Sequence, residues 1–386
     1  MKFFPQQKGR AGQYIRQVSG YSAFLPTPLP PDPPLEMDDE TLTLISQADR
    51  ALGRLDGSIQ TLPDPDLFVF MYIRKEAVFS SQIEGTQSSL DDVLEAEAQV
   101  FNPQRPGDVN EVLNYVKALR YGLERLVELP VSVRLIREIH ERLLERTRGM
   151  ERNPGELRNT QNWIGPAGST LNEATFIPPP PDAVPQALAQ LESFLHQTDP
   201  MPSLIKIGLA HAQFETIHPF LDGNGRMGRL LITFLLCERK ILQQPVLYLS
   251  HYLKRYRNQY YDLLQNIREK GNWEEWIKFF LTAVSEVSQE ATQTARRIVN
   301  LREEHRRIIT ENFGRTAANG LKVLERLFSQ PIISVNDLAK QTNISFTAAN
   351  QLMRRFIEHH ILTEMTGHSR NRQFRYRLYI NLFADR

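Results

Sequence analysis

The chain has 386 residues, enough for two or three domains, and its 46 Lys and Arg nearly balance 45 Asp and Glu, which excludes a protein built mainly to coat nucleic acid while leaving room for local basic patches. A single cysteine, Cys237, excludes intrachain disulfides and a cysteine-based metal site; following the apolar run 230–236, it reads as a buried core thiol. No run is long enough to span a membrane and the first residues lack an apolar signal core, so a reducing cytoplasm is the expected location.

The N-terminal arm, to about Met37, is rich in Gly and Pro and predicts an extended strap on the folded body or a mobile tail. Helix signals follow over 39–55 and from Asp64 to about Ile83. In the second, Asp64 suits an N-cap with Pro65 at the first helical position, and Leu67, Phe68, Met71, Ala77 and Phe79 supply the apolar positions. Gly85 suits the position just past its end, and Ser80 and Glu84, four apart, share one face. A carboxylate at a helix C-terminus opposes the macrodipole, so Glu84 costs stability there unless a cation partners it.

Residues 132–144 predict an amphipathic helix with Leu135, Ile139 and Leu143 on one side. Two short β-prone pieces follow, near 160–164 and 174–177, separated by Gly165, Pro166 and Gly168; they predict a hairpin whose edge includes Trp163 and Ile164. Residues 204–217 again carry helical apolar spacing, and Pro219 stops that helix at His218.

Residues 218–229 then place an imidazole (His218), a carboxylate (Asp222), a Gly223-Asn224-Gly225 turn and two arginines (Arg226, Arg229) within one turn and the start of a second helix, 225–240. Histidine offers a neutral base near neutral pH. Free N–H groups at a helix start form an anion site, and arginine forks match phosphate oxygens. A lone carboxylate beside phosphates is a usual way to hold Mg²⁺. Together these residue types point to chemistry on a nucleotide's phosphates. Further on, Tyr252 and Tyr261 are candidate walls for a base, with core packing the competing reading.

From Trp273 to about Asn312 the pattern predicts one or two long helices whose apolar spacing fades after Val287, as in a connector. Three helices are then marked by 321–327, by 334–341 with Ser334 as N-cap, and by 345–359; the pieces 361–365 and 373–379 bracket a basic tip. This order resembles a winged helix-turn-helix domain. The wing carries Arg370, Arg372, Arg375 and Arg377 and the third helix Arg354 and Arg355, which points to DNA; dimerisation or docking of a target is the alternative use.

The 218–229 segment resembles the core motif of the Fic family, His-x-Phe-x-Asp/Glu-Gly-Asn-Gly-Arg-x-x-Arg, at every fixed position. The resemblance covers about residues 60 to 290. It implies a mainly α protein: a Fic helical core with a β-hairpin flap, here followed by the winged helix-turn-helix domain. The expected division is 1–105 for the strap and inhibitory-helix region, 106–290 for the core, 291–318 for a helical connector and 319–386 for the winged helix domain. The implied activity is transfer of AMP from ATP to Ser, Thr or Tyr hydroxyls of proteins, the chain itself included, with pyrophosphate leaving. In that scheme His218 deprotonates the hydroxyl, Asp222 holds Mg²⁺ on the phosphates, and Phe220 packs into the core. Gly223, Asn224 and Gly225 bind phosphates, Arg226 and Arg229 orient the β and γ phosphates, and the flap adds the target as an extra strand. Ser80-x-x-x-Glu84-Gly85 matches the family's inhibitory motif, which implies that Glu84 pairs with Arg229 and blocks productive ATP binding. The same glutamate can position water to remove AMP. The rival from another class is a DNA-binding regulator with a Fic-type nucleotide-sensing core. The oligomeric state stays open, a homodimer included.

Overall fold

The computed structural model describes residues 9–60, 65–166, 168–367 and 371–384, without the side chains of 66–68. The Asp64 cap, the apolar positions Leu67 and Phe68, and Arg370 of the wing lie outside the described residues. The N-terminal arm is more structured than a plain strap: β1 (Gly12–Arg16) and β2 (Ser22–Pro26) form an antiparallel hairpin. Phe24 anchors it, fully buried between Tyr14 and Phe176. The Phe24 N–H donates to the Ile177 carbonyl, and Arg10 clamps Glu274 through two hydrogen bonds of 2.8 Å. Composition alone reads proline-rich sequence as extended, whereas the ring of Phe24 needs a covered site and finds one only in the folded body.

Helix α1 (Asp39–Gln60) buries Ala48, Leu52, Leu55 and Ile59 at helical spacing. It is followed by α2 (Pro65–Ile83), α3 (Leu90–Glu97) behind a Ser89–Asp92 capping box, α4 (Val109–Arg125) and α5 (Val133–Leu143). The Ser132 hydroxyl caps α5 by accepting from the Leu135 N–H. Next come α6 (Val184–His196), α7 (Ser203–Ile217) and α8 (Asn224–Glu238). Both α7 and α8 are buried around nearly their whole circumference, as befits the two helices at the centre of a helical core. After α9 (Ser250–Arg255) and α10 (Arg257–Lys270), α11 (Trp273–Asn312) runs unbroken for 40 residues, about 60 Å at 1.5 Å per residue.

The α5–α6 connection carries the flap, and among the described residues the expected hairpin is reduced to one antiparallel bridge, Ile164 with Phe176. The prolines at 178–181 have no N–H to extend a ladder. Side chains take their carbonyls instead: Gln161 Nε2 donates to Pro178 and Arg158 to Pro179.

The expected connector is also corrected. Ala291, Ala295, Ile298 and Ile309 of α11 are buried, so small residues continue the packing stripe that the charged composition hides. Along its length α11 packs on α1, on α7 and finally on α12 (Ala317–Leu327). After β3 (Ile332–Ser334) come α13 (Val335–Thr342), α14 (Phe346–Glu358), β4 (Thr363–Glu364), β5 (Gln373–Arg375) and α15 (Arg377–Ile380). The antiparallel sheet runs β3-β5-β4, with Ile333 opposite Phe374 and Phe374 opposite Glu364. Its last strand stops at Arg375, short of the expected Tyr379, because Tyr376 and Tyr379 turn inward on α15 to bury both rings. This C-terminal module is docked on the core. Phe383 packs edge-on to Tyr72 of α2 at 5.2 Å, and Arg375 pairs with Asp91 of α3 at 2.7 Å. No helix among the described residues is long and apolar enough to cross a membrane.

Candidate active site

Helix α7 ends where expected. His218 adopts a left-handed conformation (φ 48°, ψ 61°) while its N–H still donates to Phe214 at 2.9 Å. The loop that follows is held at several backbone groups. The His218 carbonyl accepts from Arg158 Nε at 2.9 Å. The Phe220 carbonyl accepts from Asn162 Nδ2 and Asn224 Nδ2, both at 2.8 Å, and the Phe220 N–H donates to Asn224 Oδ1 at 2.8 Å. His140 of α5 completes the frame. Its Nδ1 accepts from the Gly155 N–H at 2.9 Å, so the proton sits on Nε2 and is donated to the Asp222 carbonyl at 2.9 Å. Burial pushes the His140 pKa down to about 4, and its neutral ring stacks on Phe220 at 3.7 Å.

The side chain of Asn224 is engaged in the loop itself: both ends of its buried amide pin Phe220. The two motif arginines have different hydrogen-bond partners. Arg226, 1% exposed, donates to Glu111 Oε2 at 3.2 Å and lies 3.8 Å from Asp222. Arg229, 2% exposed, donates from Nε to Ser80 Oγ and from Nη2 to the Ser80 carbonyl, both at 2.9 Å, and from Nη2 to Glu84 Oε1 at 2.7 Å.

Glu84 sits at the end of α2, where Gly85 takes φ 98° and lets the chain turn away. Its carboxylate lies on the first turn of α8: a Cβ placed on Gly225 would stand 2.2 Å from Glu84 Oε1. The helix N-terminus thus already carries an anion, in the place sequence reading assigned to phosphate. Burial acts to raise the Glu84 pKa, but the charge and hydrogen bond of Arg229 outweigh it and lower the value. The ion pair is therefore present above the ordinary carboxylate range and is lost only as pH falls through a still lower value.

Asp222 lies beside this turn, half-exposed, with Oδ1 accepting from the Gly223 N–H at 2.6 Å. Gly149 approaches so closely that a Cβ there would fall 2.7 Å from Asp222 Oδ2. Among the described residues no group of three or more His, Cys, Asp or Glu could hold a metal ion. The single carboxylate suits a cation whose remaining ligands are phosphate oxygens and water.

Burial first, then Arg268 and Arg158, push the His218 pKa down to about 3, while Glu84 acts the other way. Glu215, one turn earlier on α7, is pushed up to about 7, mainly by burial. Of the two candidate base walls, Tyr261 is partly exposed, and Arg257 lies over its ring at 5.4 Å. Tyr252 is not; it packs against Tyr256 and Phe279 in the core, and the packing reading holds for it. On the flap, Trp163 is 41% exposed, its Nε1 donating to the Ser169 carbonyl, and Ile164 makes the bridge to Phe176. Sequence reading missed His140, Glu111 and Glu215. Only His140 left a signal, a polar residue inside the apolar stripe 136–143 of α5.

Residues 42–124 match the family description Fic/DOC family N-terminal, and residues 130–236 match Fic/DOC family. A protein adenylyltransferase Fic of Drosophila grimshawi is 30% identical over 217 residues, 53% of this chain and 41% of that protein. A probable protein adenylyltransferase of Aquifex aeolicus is 30% identical over 181 residues, 45% of this chain and 51% of that protein. The chain thus spans about half the length, or less, of these curated relatives. A Fic family protein of Desulfovibrio desulfuricans G20 superposes with a TM-score of 0.59 at 21% identity, covering 89% of this chain and 97% of that one, which shows a shared fold.

Proposed function

The chain belongs to the Fic/DOC family, and from that premise we propose that it is an autoinhibited protein adenylyltransferase that moves AMP from ATP to a protein hydroxyl. One observation carries the reading: His218 and the α8 N-terminus close the two ends of one rigid loop, and an anion, Glu84, already sits on that N-terminus, bonded to Arg229.

In this reading the triphosphate replaces Glu84 over the Gly223–Gly225 turn. The amides there and the Arg229 guanidinium take the charge of the terminal phosphates, and Arg226, held by Glu111, stays beside Asp222. Asp222 would hold Mg²⁺, which neutralises phosphate charge and favours departure of pyrophosphate. His218, neutral at physiological pH, takes the proton of the incoming hydroxyl. The hydroxyl oxygen bonds to the α phosphorus as the bond to the bridging oxygen breaks, and pyrophosphate leaves with that electron pair. Asn224 keeps the loop in shape rather than binding phosphate. The Ile164–Phe176 bridge leaves flap backbone beside His218 for an extended target segment, the chain itself included. The C-terminal module, with its three helices and small sheet, is assigned as a winged helix. Arg375 and Arg372 are engaged with Asp91 and Asn350, which favours a structural or protein-docking use over DNA.

The test is label transfer from α-³²P-ATP. Glu84→Gly should raise transfer, self-modification included, at least about tenfold, the factor that about 1.4 kcal/mol of relieved competition gives. His218→Ala in that background should lower it by about 10²- to 10⁴-fold. A rate for Glu84→Gly equal to or below that of the parent overturns autoinhibition. A DNA-binding regulator would keep its biological output after His218→Ala.

A further inference from the structure

Helix α2 carries Glu76, Ser80 and Glu84 at four-residue intervals, so the three line one face. Glu84 reaches Arg229 at the mouth of the site; the other two lie deeper. Ser80 is fully buried and Glu76 is 4% exposed, and across from them stands Tyr115 of α4, also fully buried. The hydrogen bonds among these groups have one direction. Arginine has only donors, so Arg229 Nε gives its proton to Ser80 Oγ at 2.9 Å. The Ser80 hydroxyl, whose oxygen accepts from Arg229, stands beside the Tyr115 phenol and keeps its own proton free to turn toward it. Tyr115 donates in turn to Glu76 Oε1 at 3.1 Å. The Glu76 carboxylate is completed by the Ser250 N–H at 3.0 Å and the Ser250 hydroxyl, which ties the chain into α9. These protons point away from the guanidinium, and the chain ends on the buried Glu76 carboxyl group.

This network and Glu84 hold different parts of Arg229. Glu84 takes one Nη2 proton; Ser80 takes Nε through its hydroxyl and the other Nη2 proton through its carbonyl. Departure of Glu84 therefore frees one donor while leaving the guanidinium plane fixed.

Resting on the proposed function, we infer that Tyr115 and Glu76 are positioning residues for the productive site: through Ser80 they fix Arg229 to receive the terminal phosphate of ATP. The helix that supplies the inhibitor thus also supplies a part that the active form requires. Substitutions along one face of α2 and at its partner then have opposite signs. Removal of the Glu84 side chain activates, and loss of the Ser80–Tyr115–Glu76 chain weakens ATP binding.

The experiment compares Glu84→Gly with Glu84→Gly/Tyr115→Phe and Glu84→Gly/Glu76→Gln in the full chain, by transfer kinetics and by calorimetric binding of ATP and of ADP. Phenylalanine keeps the buried ring and removes the hydroxyl that donates to Glu76 and stands beside Ser80. The expected result is a KM and a Kd for ATP raised about 2- to 10-fold, the range of one to two neutral hydrogen bonds, with ADP affinity unchanged because ADP lacks the phosphate that Arg229 receives. ATP binding within twofold of the Glu84→Gly parent overturns the inference. So does an equal loss for ATP and ADP, which marks general damage to the fold. An inactive Glu84→Gly parent would count against the proposed function instead, and the paired ATP and ADP titrations would still decide this inference.

Discussion

Burial and the nearby guanidinium groups of Arg268 and Arg158 lower the His218 pKa to about 3, so the imidazole stays unprotonated far below its ordinary value of 6.5. The neutral ring is the form that accepts a proton, and the arriving phosphates add negative charge that raises its basicity where it is needed. The base form is present above the folded-state pKa and is lost as pH falls through it. For Glu84→Gly the kcat/KM profile, which reports the free enzyme, should therefore stay flat from pH 8 down to about 5.5. An acid limb near 6.5 would show that His218 is solvated in the working enzyme. At the same scale His140 does quiet work: one ring fixes the Asp222 carbonyl, the Gly155 N–H and the Phe220 face together.

Among the elements, the hairpin β1–β2 and the flap depend on each other. Among the described residues the flap has one bridge of its own, and the strap adds the Phe24–Ile177 hydrogen bond and the tilted contact of Phe24 with Phe176. Phe24→Ala removes a fully buried ring and should cost about 3–5 kcal/mol in chemical denaturation. Amide exchange should accelerate at 164–177 while α7 and α8 keep their protection. Equal acceleration everywhere would mean that the strap supports the whole core rather than the flap.

Over the whole molecule, α11 makes one body of what composition divides into core, connector and C-terminal module. Its buried Ala291, Ala295 and Ile298 lie beyond the point where the apolar pattern fades. The module also touches α2, the helix bearing Glu84, through Phe383 against Tyr72, while the Tyr72 hydroxyl donates to the Ala291 carbonyl at 2.9 Å. Phe383→Ala should cost about 3–5 kcal/mol, read as a lowered Tm, and raise amide exchange in 376–384. The Arg375–Asp91 pair, with Asp91 half-exposed, should contribute only about 0.2–1 kcal/mol.

How much was legible follows from the range of each interaction. The 218–229 segment, the end of α7 at His218 and the face shared by Ser80 and Glu84 depend on residues close in sequence, so the chain alone determined them. The same holds for the cap at Ser334. Local periodicity says nothing about which distant groups meet. That Asn224 closes on Phe220, that Tyr252 packs inside while Tyr261 stays partly exposed, and that the strap folds as a hairpin against the flap required the packed core. The tertiary structure also delivered the partner of Glu84. Sequence physics demanded a cation for a carboxylate at a helix end and the motif resemblance implied Arg229, while the packing of α2 against α8 is what brings that residue, 145 positions away, to within 2.7 Å.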